Sequence, residues 1–452
     1  MSSFIKKYNK YKYGIYLTAV SVFALIVHIH LASTLNLGND EAHYYAWSLK
    51  PSLGYLDDAP FVGWVICLAD ALFGKSQLSV RLGSIVFSFF DGFLIYYLTY
   101  ILFKSRRAAF FSFLFYLSAI IFGMVLSVMM LPDAPLLFFT LLFFIFFYKA
   151  VEKNGETKWT DLFHFRNEKQ NLSNGSTEIN KSVPFVSSVP AEPLLFSLCF
   201  SLPVLLFFVF NGYSHTILVH WPDIGYLAAF PIMGYAAEAL IGGKKITRYY
   251  VYFAIFFGFF LSYVLYNQIY YNSIPVGKII RYIDKEKRLK KGGVFSVIPR
   301  IPGKPSTADI ANDLFGWKHA AKYIGIVYKG YKSVYAPLFI LTHHYSIADE
   351  LVYYGGYRPD GNIFNISGFL NQYDLWQNLN KISGKNALFI MDDKYMINPV
   401  KTYAPYFKSI KKIGRLDIYL KFKPVRTYYL YLMKDFNAKK MIKHLKAKSR
   451  MY

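Results

Sequence analysis

Cysteine is almost missing from this sequence: Cys67 and Cys199 are the only two in 452 residues. Two cannot build a disulfide framework, and they lack the paired spacing of a zinc or iron–sulfur site. Both lie in apolar stretches, where cysteine behaves as a small buried hydrophobe. Charge is scarce too, at 17% of residues, and acids are the rarer sign, 27 against 51 Lys+Arg. No internal repeat is visible, which argues against solenoids and against the duplicated halves of many transporters.

Apolar and aromatic residues fill the space. Hydrophobic residues make up 54% of the chain and aromatics 20%, with 43 Phe and 40 Tyr. The apolar residues gather in runs of the length a spanning helix needs. The expected spans are 13–32, 80–103, 108–126, 134–150, 193–210, 224–241 and 249–270. The stretch FVGWVICLADALF at 61–73 is too short to cross and reads as a re-entrant or interfacial helix. The N-terminal MSSFIKKYNKYKY leads into an apolar run that no small-residue cleavage site follows, so an uncleaved first span is expected.

Short basic loops set the orientation. Lys6, Lys7, Lys10 and Lys12 place the N-terminus in the cytoplasm. Lys104, Arg106 and Arg107, the lysines of 149–190, and Lys244, Lys245 and Arg248 fall on the same side after two, four and six spans. Loops 33–79, 127–133 and 211–223 then face outward, with everything after 271. The reading is a polytopic α-helical membrane protein of about seven spans with outward juxtamembrane helices. Residues 1–270 form its transmembrane catalytic domain, and polar 151–190 a flexible cytoplasmic loop. Residues 271–452 form a small extracytoplasmic α/β domain, in which VYAPLFILT and NALFIMDD read as strands and DLFGWKHAAKYIGIVYKG as a helix. This last part holds 32 Lys+Arg against 12 acids. On a membrane protein such charge suits anionic lipid or lipid-linked phosphate, not nucleic acid.

The first outward loop carries NDEAHYYAWSLKPSLGYLDDAPFVGW, with acidic pairs Asp40–Glu41 and Asp57–Asp58. Carboxylates among apolar and aromatic residues at a membrane surface are costly unless hydrated, paired or metal-bound. The bland reading is a solvated loop. Two more outward loops add Asp133 (MLPDAPL) and His220, Trp221 and Asp223 (VHWPDIGYL). Acids and aromatics on one face form the pattern of a site.

DEAHYYAW, GYLDDAPFVGW, RLGS, LPDAPLLFF and HWPDIGYLA, in that order, resemble bacterial members of the C-type glycosyltransferase superfamily. Within it they resemble the dolichyl-phosphate-mannose protein mannosyltransferase-like group, similar to the lipid A aminoarabinose transferase. The tail segments DLFGWKHAAKYI, LTHHYSIADELVYYGG and NISGFLNQYDLW resemble the extracytoplasmic domain of the same enzymes. The resemblance implies an inverting transferase of the plasma (inner) membrane. Its donor would be a polyprenyl-phosphate sugar, and its acceptor lipid A or lipopolysaccharide, another envelope glycan, or a protein. It assigns Asp40 as catalytic base with Glu41 its partner, and Asp57 as the second acid, near the donor phosphate or a divalent cation. Asp133 matches the Pro-Asp motif. Two departures stand out: relatives carry a basic residue where this chain has Asp58, and they are longer between the fourth span and HWP.

The chemistry fits these residue types. A carboxylate can take the proton of a sugar hydroxyl as the new bond forms. A leaving lipid phosphate needs its charge stabilised, for which Arg81, Lys75 and a carboxylate-held divalent cation are candidates. Further candidates are His43 and Tyr44 in the first loop and His344 and Tyr345 in the tail. Surface histidines and belt aromatics are the bland alternative. Asp91, an acid inside the second span, either functions or pairs with a neighbouring helix. The competing readings are a transporter or flippase of a lipid-linked sugar and a non-catalytic receptor.

Overall fold

The computed structural model describes residues 2–153, 191–215, 217, 220–276, 278–279, 282, 309–359, 361–367, 370–420 and 422–449. The expected flexible loop lies outside them beyond residue 153. The chain divides into two compact units that do not follow chain order. One is Met1–Leu31, Gly83–Val128 and Asp133–Val264; the other is Ala32–Leu82, Met129–Pro132 and Leu265–Tyr452.

The helices are α1 (Ser2–Thr34), α2 (Asn39–Ser48), α3 (Phe61–Phe73), α4 (Gln77–Phe103), α5 (Arg106–Ser118), α6 (Asp133–Lys153), α7 (Ala191–Ser214), α8 (Asp223–Gly242) and α9 (Lys245–Tyr271). Six of them are long and apolar enough to cross a membrane. The expected span 108–126 is not one straight helix. It breaks into α5 and Ile121–Val128, bent by 73°. A π-turn at Ile121–Val125 makes the break. Gly123 permits it, because a Cβ there would stand 1.7 Å from the Leu117 carbonyl oxygen. His28 Nε2 bonds the Gly123 carbonyl at 2.9 Å and fixes the bend.

The first unit packs through small residues, as membrane helices do. Gly234 of α8 lies so close to α5 that a Cβ would meet Ser112 Oγ at 2.0 Å. Ser112 Oγ donates to the Phe230 carbonyl at 2.9 Å, and Ser105 Oγ to Glu238 at 2.5 Å. Phe111, Ala237, Ile241, Val251 and Ile255 form a core beside this contact.

In the second unit, α10 (Trp317–Tyr335) buries Trp317, Ala320, Ala321, Ile324 and Tyr328. It leads into β1 (Leu338–Thr342), followed by α11 (Tyr345–Gly355) and β2 (Ile363–Asn365). Then come β3 (Asn386–Asp392), β4 (Phe407–Leu420) and β5 (Lys423–Phe436). The sheet order is β2-β1-β3-β5-β4. The first three strands are parallel, and β5 and β4 run antiparallel as a long hairpin. The expected strands are β1 and β3, buried almost throughout because both faces are covered.

The same unit constrains the span count among the described residues. Met130 N–H donates to Glu41 Oε1 at 3.1 Å, so residues 41 and 130 lie on one face of the membrane. Between them run α4 and the bent pair. If α4 crosses, the bent pair must cross back. With the six long helices, that makes seven crossings among the described residues.

Candidate functional site

Four residues separate the end of α1 from the start of α2, whose first turn holds Asp40 and Glu41. Their fates differ. Glu41 is fully buried and paired with Arg81 of α4: Arg81 Nε donates to Oε1 at 2.7 Å and Nη2 to Oε2 at 2.6 Å. The N–H groups of Gly38 and Met130 also donate to Glu41. The remaining Arg81 donors go to the carbonyls of Ala32, Leu35 and Asn36. All five guanidinium N–H groups are thus spent inside the protein. This corrects the expectation for Arg81, which has no donor left for a phosphate. Glu41 is likewise a buried tie with no proton to take.

Asp40 is the opposite case. Its side chain is solvent-accessible and makes no hydrogen bond or ion pair among the described residues. It is recessed among protein atoms all the same. That desolvation raises its carboxyl above the ordinary carboxylate value, against the pull of His43; Asp58, Asp313 and Glu41 push the same way as burial.

His43, one turn further along α2, is buried between two acids. Nδ1–H donates to Asp349 at 2.7 Å and Nε2–H to Asp57 at 3.1 Å. Burial alone would lower its pKa; the two carboxylates outweigh burial and raise it to about 10, so the ring is an imidazolium. Asp349 also accepts Tyr373 OH at 2.6 Å. Tyr44 OH donates to Asp58 at 2.8 Å. The two acids of the second pair are therefore turned to protein partners. Among the described residues no group of three or more His, Cys, Asp or Glu side chains could hold a metal ion.

The tail contributes from the carboxyl edge of β1 and β3. His344 caps α11: Ser346 N–H donates to its Nδ1 at 3.3 Å, so its proton sits on Nε2. Its ring stacks on Tyr395 at 3.5 Å. Burial first, then His343, Lys394 and His43, lower its pKa to about 3, and it is neutral. The Nε2–H has no partner among the described residues, nor has the hydroxyl of Tyr345, whose ring lies 4.8 Å from that of His43. Asp40 lies close enough to Tyr345 to raise its hydroxyl pKa, after burial. Asp313 accepts from Lys394 at 2.5 Å and from Arg426, which lies over Trp317 at 4.3 Å. Lys75 covers the rings of Tyr45 and Tyr353 and donates to the Tyr353 carbonyl.

Sequence reasoning thus picked out Asp40, His43, Tyr44, Asp57, Asp58, His344 and Tyr345, which the second unit brings together. It passed over Asp349, Tyr373, Asp313, Lys394 and Arg426. Asp133, His220, Trp221 and Asp223 belong to the first unit, where Asp133 neighbours a buried Asp223. There the Ile224 N–H donates to Asp223 at 2.7 Å, and Trp221 is half exposed beside Phe208.

Residues 57–164 match the model of the dolichyl-phosphate-mannose-protein mannosyltransferase family. The chain is also similar to the apo-state crystal structure of ArnT from Cupriavidus metallidurans, with a TM-score of 0.47 and 12% identity over 93% of this chain and 98% of that one. A search of curated proteins gave no match.

Proposed function

We propose that this chain is a membrane-embedded glycosyltransferase. It moves a sugar from a polyprenyl-phosphate donor to an extracytoplasmic acceptor, with inversion at the anomeric carbon. The acceptor class is lipid A or lipopolysaccharide, another envelope glycan, or a protein. The observation that carries the reading is Asp40: an accessible carboxylate with no internal partner, recessed beside a fixed imidazolium, just past the end of a membrane-crossing helix. The family match over residues 57–164 supports the same class.

In this reading the acceptor hydroxyl gives its proton to Asp40 as its oxygen attacks the anomeric carbon. The bond from that carbon to the phosphate oxygen breaks, and polyprenyl phosphate leaves without needing a proton. His344 Nε2–H and Tyr345 O–H, two donors without a partner among the described residues, meet the phosphate oxygens or the sugar hydroxyls. His43 stays protonated throughout. Its charge keeps Asp40 ionised and its two bonds hold Asp57 and Asp349.

The test is incubation of the purified protein with radiolabelled polyprenyl-phosphate sugars and a membrane extract. Label is expected in an acceptor that names the product. No transfer from any such donor, by protein that still binds the lipid, overturns the reading.

A further inference from the structure

The carboxyl edge of the parallel strands lies beside the residues that follow α1. β1 ends at Thr342 and β3 at Asp392, just before His344 and Lys394. α10 starts at that edge, where Lys318 N–H reaches Asn36 Oδ1 at 3.4 Å, two residues past the end of α1.

The β4–β5 hairpin does not stop at this edge. Asp392, the last residue of β3, pairs with Tyr428, yet β5 begins five residues earlier at Lys423 and β4 ends at Leu420. At about 3.3 Å per residue the hairpin overshoots β3 by about 16 Å. The overshoot is on the same edge as the start of α10, next to Asn36. At the tip Phe422 is 100% exposed and Tyr419 is 56% exposed. Lys421 and Lys423 flank Phe422 in the sequence. The sheet gains nothing from a bare phenylalanine at its far end, and water penalises it. Aromatics bracketed by lysines suit one environment, the bilayer interface, where rings enter the headgroup–acyl boundary and ammonium groups meet anionic headgroups.

We propose that the β4–β5 tip is a membrane-interface anchor that lays Phe422 and Tyr419 into an anionic leaflet. The anchor holds the carboxyl edge of the sheet, and with it His344 and Tyr345, at the depth where a lipid phosphate lies. It does not depend on the transferase reading.

The experiment uses the full chain with Cys67→Ala and Cys199→Ala, and either Phe422→Cys or Lys329→Cys. Lys329 is exposed on α10, about 18 Å from its start and away from the edge. Each cysteine is labelled with an environment-sensitive fluorophore in nanodiscs containing phosphatidylglycerol. At 422 the label should be quenched several-fold more by shallow spin-labelled lipid than at 329, and less by aqueous iodide. Equal iodide quenching at both sites overturns the anchor. Equal insertion in purely zwitterionic discs overturns its preference for an anionic leaflet.

Discussion

His43 donates from both ring nitrogens, and the acid that takes its Nδ1–H at 2.7 Å is Asp349, 306 positions further along the chain. A loop next to the first span and a helix of the tail thus meet in one charged contact. Asp57 closes the other side at 3.1 Å. The imidazolium is the fixed point around which the candidate site is built.

Asp40→Asn should cut transfer by about 10²- to 10⁴-fold, the usual worth of a general base, with unchanged expression and thermal stability. Because desolvation raises the Asp40 carboxyl above its ordinary value, kcat/KM should fall on the acid side and rise to a plateau once the base is ionised. A pH–rate profile with no acid limb, or near-normal turnover by the Asn variant, would remove Asp40 from the chemistry.

The raised pKa of His43 makes a stability prediction with a definite sign. Its folded value is about 10 and its unfolded value the ordinary 6.5. The stabilisation is therefore complete below about pH 6.5 and is lost as pH rises through 10. Thermal melts between pH 6 and 10 should show a falling midpoint in the native protein, and a flatter dependence in His43→Gln. Identical slopes would mean that His43 carries no extra proton.

Glu41→Gln should destabilise the fold by about 3–5 kcal/mol, since it leaves Arg81 buried without its counter-charge. Arg81→Lys should cost a similar amount, because an ammonium cannot reproduce the two-pronged pair. Melting in detergent measures both. A Glu41→Gln protein with normal stability and no activity would instead move Glu41 into the reaction.

His344→Phe keeps an aromatic ring on Tyr395 but removes both the Nε2–H and the Nδ1 cap of α11. Turnover should fall by about 10- to 100-fold, the worth of one hydrogen bond to a charged group, while stability falls only by the worth of a lost cap, about 1 kcal/mol. Tyr345→Phe should act in the same direction. Unaltered kinetics in both would show that the donor phosphate and sugar are held elsewhere.

Short-loop lysines together with seven crossings predict that the first loop and the tail lie outside the cell. Single cysteines at Ser52 and Gly355, in a cysteine-free background, should react with an impermeant thiol reagent in intact cells. One at Asn174 should react only after lysis. Protection at Gly355 before lysis would break the parity that the His43–Asp349 contact demands.

The spans were legible because run length in an apolar sequence is a direct physical signal. The bend after Ser118 was not, since it rests on the bare Cα of Gly123 and a carbonyl bond from His28, which leave no mark on hydropathy. Arg81 could have been read correctly: an arginine in the first turns of a span needs an internal acid, and Glu41 was available. Asp349 could not. In SIADELVYYG it looks like an ordinary helical acid, and nothing local says that its partner lies 306 residues back. Strands β1 and β3 were visible as apolar runs. The hairpin that follows was hidden, because β4 alternates lysines with half-buried residues and resembles a polar connection.

The second unit draws on residues 32–82, 129–132 and 265–452, so its parts emerge from the ribosome far apart in time. When Asp40 has been threaded into the membrane, the residues that complete its surroundings do not yet exist. Asp40 waits until the last helix is inserted and the tail has folded. A truncated chain should therefore carry Asp40 without the His43–Asp349 contact beside it. Two separately expressed fragments cut within residues 154–190 should regain that contact only by finding each other.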